Sequence, residues 1–348
     1  MQKNRIPYLD IARGLGILLV VIGHVEVIDA SLRGYVTSFH MPLFFAISGV
    51  LMQERDEERE ELRAIARKKL HRLMLPYLIF SLLSFVIEGA RMLLKHLDGW
   101  EILFRQLCQS LCLQGVSTLW FLPAMFFATL LFLWLRRHTG HRGTILLVSV
   151  LTAAAWLCSL WEKSLLLPLA DVLPYGLLHD ILSMMFRSVF CVCFVCVGYY
   201  FAYMCGRFRL KKRWELLCAI LLLLLTALLN RRSGPVDIRF MTLGNPVLCL
   251  GETIGGSVGV LMLCRAAEGL AALPVGRIFS YYGRNSLIVM VTHMDFRVLN
   301  YSIRLAAFIN VLLQNQFLYC VLILVFVFVM EIAVIECVRR FFPFVIGR

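Results

Sequence analysis

Asp10, Arg13 and His24 all fall inside the first long apolar run of the sequence, Tyr8–Ile28. Ionisable groups inside a membrane span are costly, and each marks a functional hypothesis. Arg13 and His24 are eleven residues apart. At 100° per residue that is about three turns plus ~20°, so both share one helix face, with an axial separation of ~16 Å. The face presents a cation towards one end and a titratable imidazole towards the other. A structural reading stands beside each: Arg13 as a surface anchor paired with Asp10 at i+3, and His24 as a hydrogen-bonded core histidine. A second run, Val36–Met52, contains Ser38-Phe39-His40-Met41-Pro42-Leu43-Phe44-Phe45 and continues Ala46-Ile47-Ser48-Gly49. The first run leads outward and the second returns, so His40 is expected near His24. Imidazole suits proton transfer near neutral pH. A hydroxyl attacking a thioester needs such a base, and a stabiliser for the developing oxyanion.

The elements that position these residues are membrane helices. The chain has 348 residues, 60% hydrophobic and only 16% charged, with a mean hydropathy of +0.79; a soluble domain carries about 25% charged residues. About 20 apolar residues cross a bilayer as a helix, and the runs are solid rather than alternating, which excludes barrel strands. Ten spans are expected: Tyr8–Ile28, Val36–Met52, Leu73–Leu94, Thr118–Leu135, Gly143–Trp161, Ser183–Met204, Trp214–Leu229, Pro246–Cys264, Asn285–Leu305 and Gln316–Val338. Glu88 and Arg91 interrupt the third; His293, Asp295 and Arg297 interrupt the ninth. The fold class is therefore an all-α integral membrane bundle, read as one domain over residues 1–348. The first run is too long for the apolar core of a secretory signal and reads as a first membrane helix.

The net charge of +13 marks topology, not nucleic-acid binding. Most basic residues lie in alternate connections: Lys3 and Arg5; the stretch Arg55–Arg72; Arg136, Arg137 and Arg142; Arg207–Arg213; Arg265, Arg277 and Arg284; Arg339, Arg340 and Arg348. The positive-inside rule then puts both termini in the cytoplasm of a multi-pass cell-membrane protein. Glu54–Arg72 reads as an inner-surface helix with an acidic start and a basic end, an order that suits the helix dipole. Its basic half faces either solvent, an anionic ligand or lipid headgroups. The outer connections Lys95–Ser117, Glu162–Leu182 and Asn230–Asn245 are the longest, and the expected place for an extracytoplasmic substrate to touch the protein.

Arg13 and His24, followed by Phe39-His40-Met41-Pro42-Leu43-Phe44-Phe45-x-Ile47-Ser48-Gly49, resemble the acyltransferase-3 superfamily of membrane acyltransferases. Further resemblances follow in order: Lys69-x-x-Arg72-Leu73-x-x-Pro76-Tyr77, Leu119-Trp120-Phe121-Leu122-Pro123-Ala124, Arg187 with Phe190, Phe194 and Gly198-Tyr199-Tyr200, and Asn285-Ser286-Leu287 with His293. Within the superfamily the chain resembles the short fucose acetylase-like members that lack an appended soluble domain. The resemblance implies transfer of an acyl group, usually acetyl, from cytoplasmic acyl-coenzyme A to a hydroxyl of a cell-surface carbohydrate or glycolipid, with acetyl-coenzyme A as substrate and no bound cofactor. It makes Arg13 and His24 the central pair, with His40 as partner or substrate ligand. Lys69 and Arg72 become donor-binding residues. Trp120, Arg187, Asn285 and His293 become residues of the acceptor site or cavity lining. Apart from the resemblance, Glu252 is an ionisable residue inside an apolar run, expected to line the cavity or to bond a neighbouring helix. Thr118 stands where many relatives have a histidine two residues before the tryptophan.

Other patterns carry less. Gly255-Gly256-Ser257-Val258-Gly259 matches the serine-hydrolase G-x-S-x-G pattern, but that motif needs a strand–turn–helix context. Gly251, Gly255 and Gly259 repeat every four residues inside an apolar run, which is the pattern of close helix packing. Cys191, Cys193 and Cys196 have no His or carboxylate nearby to complete a metal site, so no metal is expected. Two other functions remain open on residues alone. Intramembrane Arg, Glu and His suit a transporter equally well, though no matching halves of the kind found in transporters are visible. A non-catalytic sensory domain would not need both Arg13 and His24.

Overall fold

The structure, a computed structural model, describes residues 5–96, 98–161, 176–208 and 210–346. Lys3, Arg209, Arg348 and residues 162–175 of the second long outer connection lie outside the described residues. The α-helices are α1 (Pro7–His24), α2 (Ala30–Glu54), α3 (Leu62–Lys69), α4 (Leu75–Leu94), α5 (Trp100–Leu111), α6 (Phe121–His138), α7 (His141–Trp161), α8 (Leu177–Phe190), α9 (Val192–Arg207), α10 (Lys212–Ser233), α11 (Pro246–Ala266), α12 (Pro274–Arg284), α13 (Ser286–Thr292), α14 (Val298–Leu313) and α15 (Gln316–Phe341). A π-helical turn, Leu70–Met74, joins α3 to α4. No strand occurs among the described residues, and the chain is an all-α integral membrane protein.

Among the described residues, eight helical stretches are long and apolar enough to cross a bilayer. Two of the ten expected spans are not among them. The fourth corresponds to α6, whose last turn carries Arg136, Arg137 and His138 and so shortens its apolar stretch. The ninth is not one helix. α13 stops at Thr292, residues 293–296 turn, and α14 restarts after Arg297 in the left-handed conformation at φ 58°. The turn satisfies its own backbone: the Phe296 amide donates to the Thr292 carbonyl (3.0 Å), that of Arg297 to Met294 (3.0 Å) and that of Leu299 to His293 (2.9 Å). Irregular backbone inside a membrane protein requires such pairing.

The chain divides into two compact units. The first comprises Met1–Arg55, Phe194–Asp237 and Thr242–Phe341; the second comprises Asp56–Cys193, Ile238–Met241 and Phe342–Arg348.

In the first unit α1 packs against α2, α11, α12 and α13. Local chemistry fixes the helix starts. Pro7 occupies the first turn of α1, where its missing N–H costs nothing. The Asp29 carboxylate accepts the amides of Ser31 (2.9 Å) and Leu32 (3.1 Å) to cap α2, and the Asn245 side chain caps α11 in the same way. Phe39, Leu43, Ala46 and Val50 of α2 meet Leu9 and Ala12 of α1 and Leu261 of α11 in the core. Two glycines set the approach of α2 to α9. A Cβ on Gly49 would lie 2.0 Å from the Val195 carbonyl oxygen, and one on Gly198 1.8 Å from that of Ala46. The helix backbones touch here, as small-residue membrane contacts allow. The Gly251, Gly255 and Gly259 row faces Leu229, Thr226 and Leu223 of α10, and the Ser257 hydroxyl donates to the Thr253 carbonyl within α11. The G-x-S-x-G match is thus a packing row, with no nucleophile elbow.

In the second unit α6 packs against α8 and the α3–π-turn segment, α4 against α5, and α7 against α8. The α5 helix fills much of the Lys95–Ser117 connection. The expected helix over Glu54–Arg72 begins only at Leu62. Its acidic residues lie before the helix: Glu57 and Glu60 fold back onto Lys69 and Lys68 in the last turn of α3, and Glu58 reaches Arg136 at the end of α6.

The cysteines are free thiols, and no metal-binding group of three or more ligands occurs among the described residues. Large apolar side chains stay exposed on α7 (Leu146, Val150), α10 (Leu221, Leu224) and α15 (Phe317, Val329). In water such a surface would aggregate; it is the surface a bilayer covers.

Candidate active site

His24 is the last residue of α1, His40 lies mid-way along α2, and His293 caps the end of α13. The first unit brings the three together. His24 and His293 meet edge to face, ring centroids 5.1 Å apart with an interplanar angle of 70°. His40 lies within electrostatic reach of both. His40 and His293 are buried at 6% and 0% exposure, whereas His24 remains partly open.

All three rings are held in one way. The Nδ1 of His24 lies 2.8 Å from the Val20 carbonyl, that of His40 3.0 Å from Val36, and that of His293 2.8 Å from Val289. Each carbonyl belongs to the residue four positions earlier on the same helix. A carbonyl only accepts, so Nδ1–H donates in every case, and in the neutral ring the lone pair is on Nε2. The His293 Nε2 is buried and has no hydrogen-bond partner among the described residues. In the neutral rings these contacts set the tautomer, which is what a proton acceptor in a transfer reaction requires.

Arg13 sits on α1 three turns before His24, and its Nη1 lies 3.7 Å from the Asp10 carboxylate. Its side chain keeps 27% exposure, so the i+3 pair restrains the guanidinium without sealing it. Asn285 caps α13 and donates from Nδ2 to the Tyr281 carbonyl at 2.8 Å, setting the start of the helix that ends in His293. Glu252 is fully buried on α11 and accepts from Asn230 Nδ2 at 2.9 Å, the same amide reaching the Gly34 carbonyl at 3.3 Å. It ties α11 to α10 and α2.

The other expected residues lie in the second unit. Arg187 is completely buried. Its guanidinium stacks over the Trp120 ring, 4.9 Å from the centroid. It donates to the Arg239 carbonyl (2.9 Å), the Gln114 carbonyl (3.2 Å) and the Gln114 side-chain oxygen (3.0 Å). Lys69 pairs with Glu57 at 3.4 Å, and Arg72 is exposed in the π-helical turn.

Two features were not anticipated. Glu331 of α15 is fully buried and both its oxygens lie within 3.0 Å of the Thr292 hydroxyl, beside His293. It is an intramembrane carboxylate, so the rule that singled out Arg13 applies to it too. Gln114, which holds Arg187, carries no signal in the sequence at all.

Residues 6–335 match the family model described as "Acyltransferase domain" of the acyltransferase-3 family. No curated protein and no solved structure matches the chain. Carrying that match over nearly its whole length, the chain belongs to the acyltransferase-3 family and is a multi-pass membrane acyltransferase.

Proposed function

We propose that this acyltransferase moves acetyl from cytoplasmic acetyl-coenzyme A to a hydroxyl of a cell-surface carbohydrate or glycolipid, with His24 as general base. One observation supports this above others: His24 is partly open, its Nδ1 is held 2.8 Å from the Val20 carbonyl, and its ring meets that of His293 edge to face. In the reaction the acceptor oxygen attacks the thioester carbonyl as its proton passes to His24 Nε2. The tetrahedral intermediate collapses, the C–S bond breaks, and the imidazolium returns the proton to the departing thiolate. His40 and His293 orient the acceptor hydroxyl or share the proton. Lys69 and Arg72 attract the phosphates of the donor. Trp120 and Arg187 order the second unit through their stack, and Glu252 and Asn285 fix the helices that carry the imidazoles. Both termini are cytoplasmic in this reading, which rests on the distribution of Lys and Arg.

The test is transfer from labelled acetyl-coenzyme A in proteoliposomes, paired with mass spectrometry of surface glycans from cells with and without the protein. Appearance of an acetyl mass on a sugar hydroxyl is the expected result. No transfer to any hydroxyl acceptor, together with movement of a solute across the vesicle, would replace this reading with a transporter.

A further inference from the structure

Asp56–Glu61 carries five carboxylates in six residues, Asp56, Glu57, Glu58, Glu60 and Glu61. It folds back onto basic side chains within the second unit. Glu57 lies 3.4 Å from Lys69 Nζ and Glu58 3.3 Å from Arg136 Nη2, and Glu60 bonds Lys68. Arg137 Nη2 donates to the backbone carbonyls of Glu57 (3.1 Å) and Glu60. The Lys69–Glu57 pair and Arg136 are sheltered, at 15, 14 and 11% exposure, whereas Lys68 keeps 55%. Lys68 and Lys69 come from α3, Arg136 and Arg137 from the end of α6, some seventy positions later. Four cations from two remote segments are thus gathered around one short acidic arm.

Four clustered cations repel one another, and the arm's carboxylates offset that repulsion. Phosphates would do the same with more charge per group, about −1.5 to −2 for a phosphomonoester at neutral pH. Arg in particular matches phosphate oxygens with its forked donors. Arg72, exposed in the following π-helical turn, extends the basic surface along the chain.

We propose that Lys68, Lys69, Arg136 and Arg137 form a polyphosphate-binding site for the nucleotide end of the acyl donor, and that the Asp56–Glu61 arm occupies this site until the donor displaces it. The proposal rests on the reading of acyl-coenzyme A as donor. It adds Arg136 and Arg137 to the donor site and gives the acidic arm a role as internal competitor. A ligand that must displace part of the chain binds with an affinity reduced by the fraction of molecules in the open state. Neutralising the arm therefore strengthens binding, whereas neutralising a partner in an ordinary structural ion pair weakens the fold.

The experiment measures binding of acetyl-coenzyme A, of 3′-phosphoadenosine 5′-diphosphate and of acetyl-pantetheine to the full-length protein. Nanodiscs of phosphatidylcholine are used, and the series is repeated with phosphatidylglycerol added. The variants are Glu57→Gln/Glu58→Gln/Glu60→Gln and the milder Glu58→Gln, with thermal unfolding followed in parallel. The triple variant is expected to bind acetyl-coenzyme A and the nucleotide about 3- to 10-fold more tightly, a tenfold change being about 1.4 kcal/mol. Glu58→Gln is expected to change both in the same direction, and acetyl-pantetheine binding should not move. Arg137→Ala should weaken the two phosphate ligands. Wild-type binding with no gain in a folded Gln variant overturns the arm as competitor and leaves the donor reading intact. A gain seen only as retention of phosphatidylglycerol assigns the cations to lipid headgroups and overturns the proposal. Absence of acetyl-coenzyme A binding in wild type and variants alike sinks the donor reading, and the proposal with it.

Discussion

The His24 and His293 rings meet edge to face at 5.1 Å, although 269 positions of chain separate them. One ends the first membrane helix and the other ends α13, and each keeps its Nε2 clear of its own helix. The contact brings the end of the first membrane helix against the turn that follows α13.

His24→Ala is expected to lower acetyl transfer by about 10²–10⁴-fold, the usual contribution of a positioned base, while insertion and thermal stability hold. The measurement is single-turnover transfer in proteoliposomes. A stable variant with wild-type turnover would make His24 a structural histidine.

His293→Asn retains a side-chain donor near the Val289 carbonyl but removes the basic Nε2. The expected outcome is a folded protein with at least about tenfold slower turnover, within the range for proton-transfer groups. Comparison with His40→Asn then separates the two rings: a change in acceptor KM alone marks a substrate ligand, and a fall in kcat marks a share in proton transfer.

Glu331 and Thr292 form a buried pair, and leaving one member unsatisfied costs about 1–3 kcal/mol. Glu331→Ala should lower the midpoint of thermal unfolding in detergent, and activity should fall with it as the end of α13 loosens. Glu331→Gln keeps a partner for the Thr292 hydroxyl and should restore most of both. Equal behaviour of the two variants would show that the hydrogen bond does not matter.

Gly198→Ala drives a Cβ into the Ala46 carbonyl oxygen, 1.8 Å away before any adjustment. Overpacking of this kind costs about 1–3 kcal/mol or more. The variant should show a lower unfolding temperature. Gly206→Ala, where a Cβ meets nothing within 4 Å, serves as the control.

Much of this was legible in the sequence, for physical reasons. The α1 and α2 spans, and the meeting of His24 with His40, follow from apolar run length and helical period alone. His293 was visible as an intramembrane ionisable residue, but its place against His24 was not, because averaged hydropathy cannot show a helix broken by a turn that bonds its own backbone. The acidic start of Glu54–Arg72 read as a helix terminus because charge order suits the dipole. The partners that override that local preference, Arg136 and Arg137, lie about eighty residues away. Arg187 was found by motif, while Gln114, which holds it, sits in a connection with no periodicity to mark it.

Each imidazole takes an anchor from a carbonyl four residues back on its own helix, so that part of its orientation travels with the helix and not with the side chains around it. The walls around the three rings are therefore free to change in width and polarity, residue by residue, while the ring nitrogens stay where they are. Under the proposed reaction, a scaffold with this property would pass from one acceptor to another without rebuilding its chemistry.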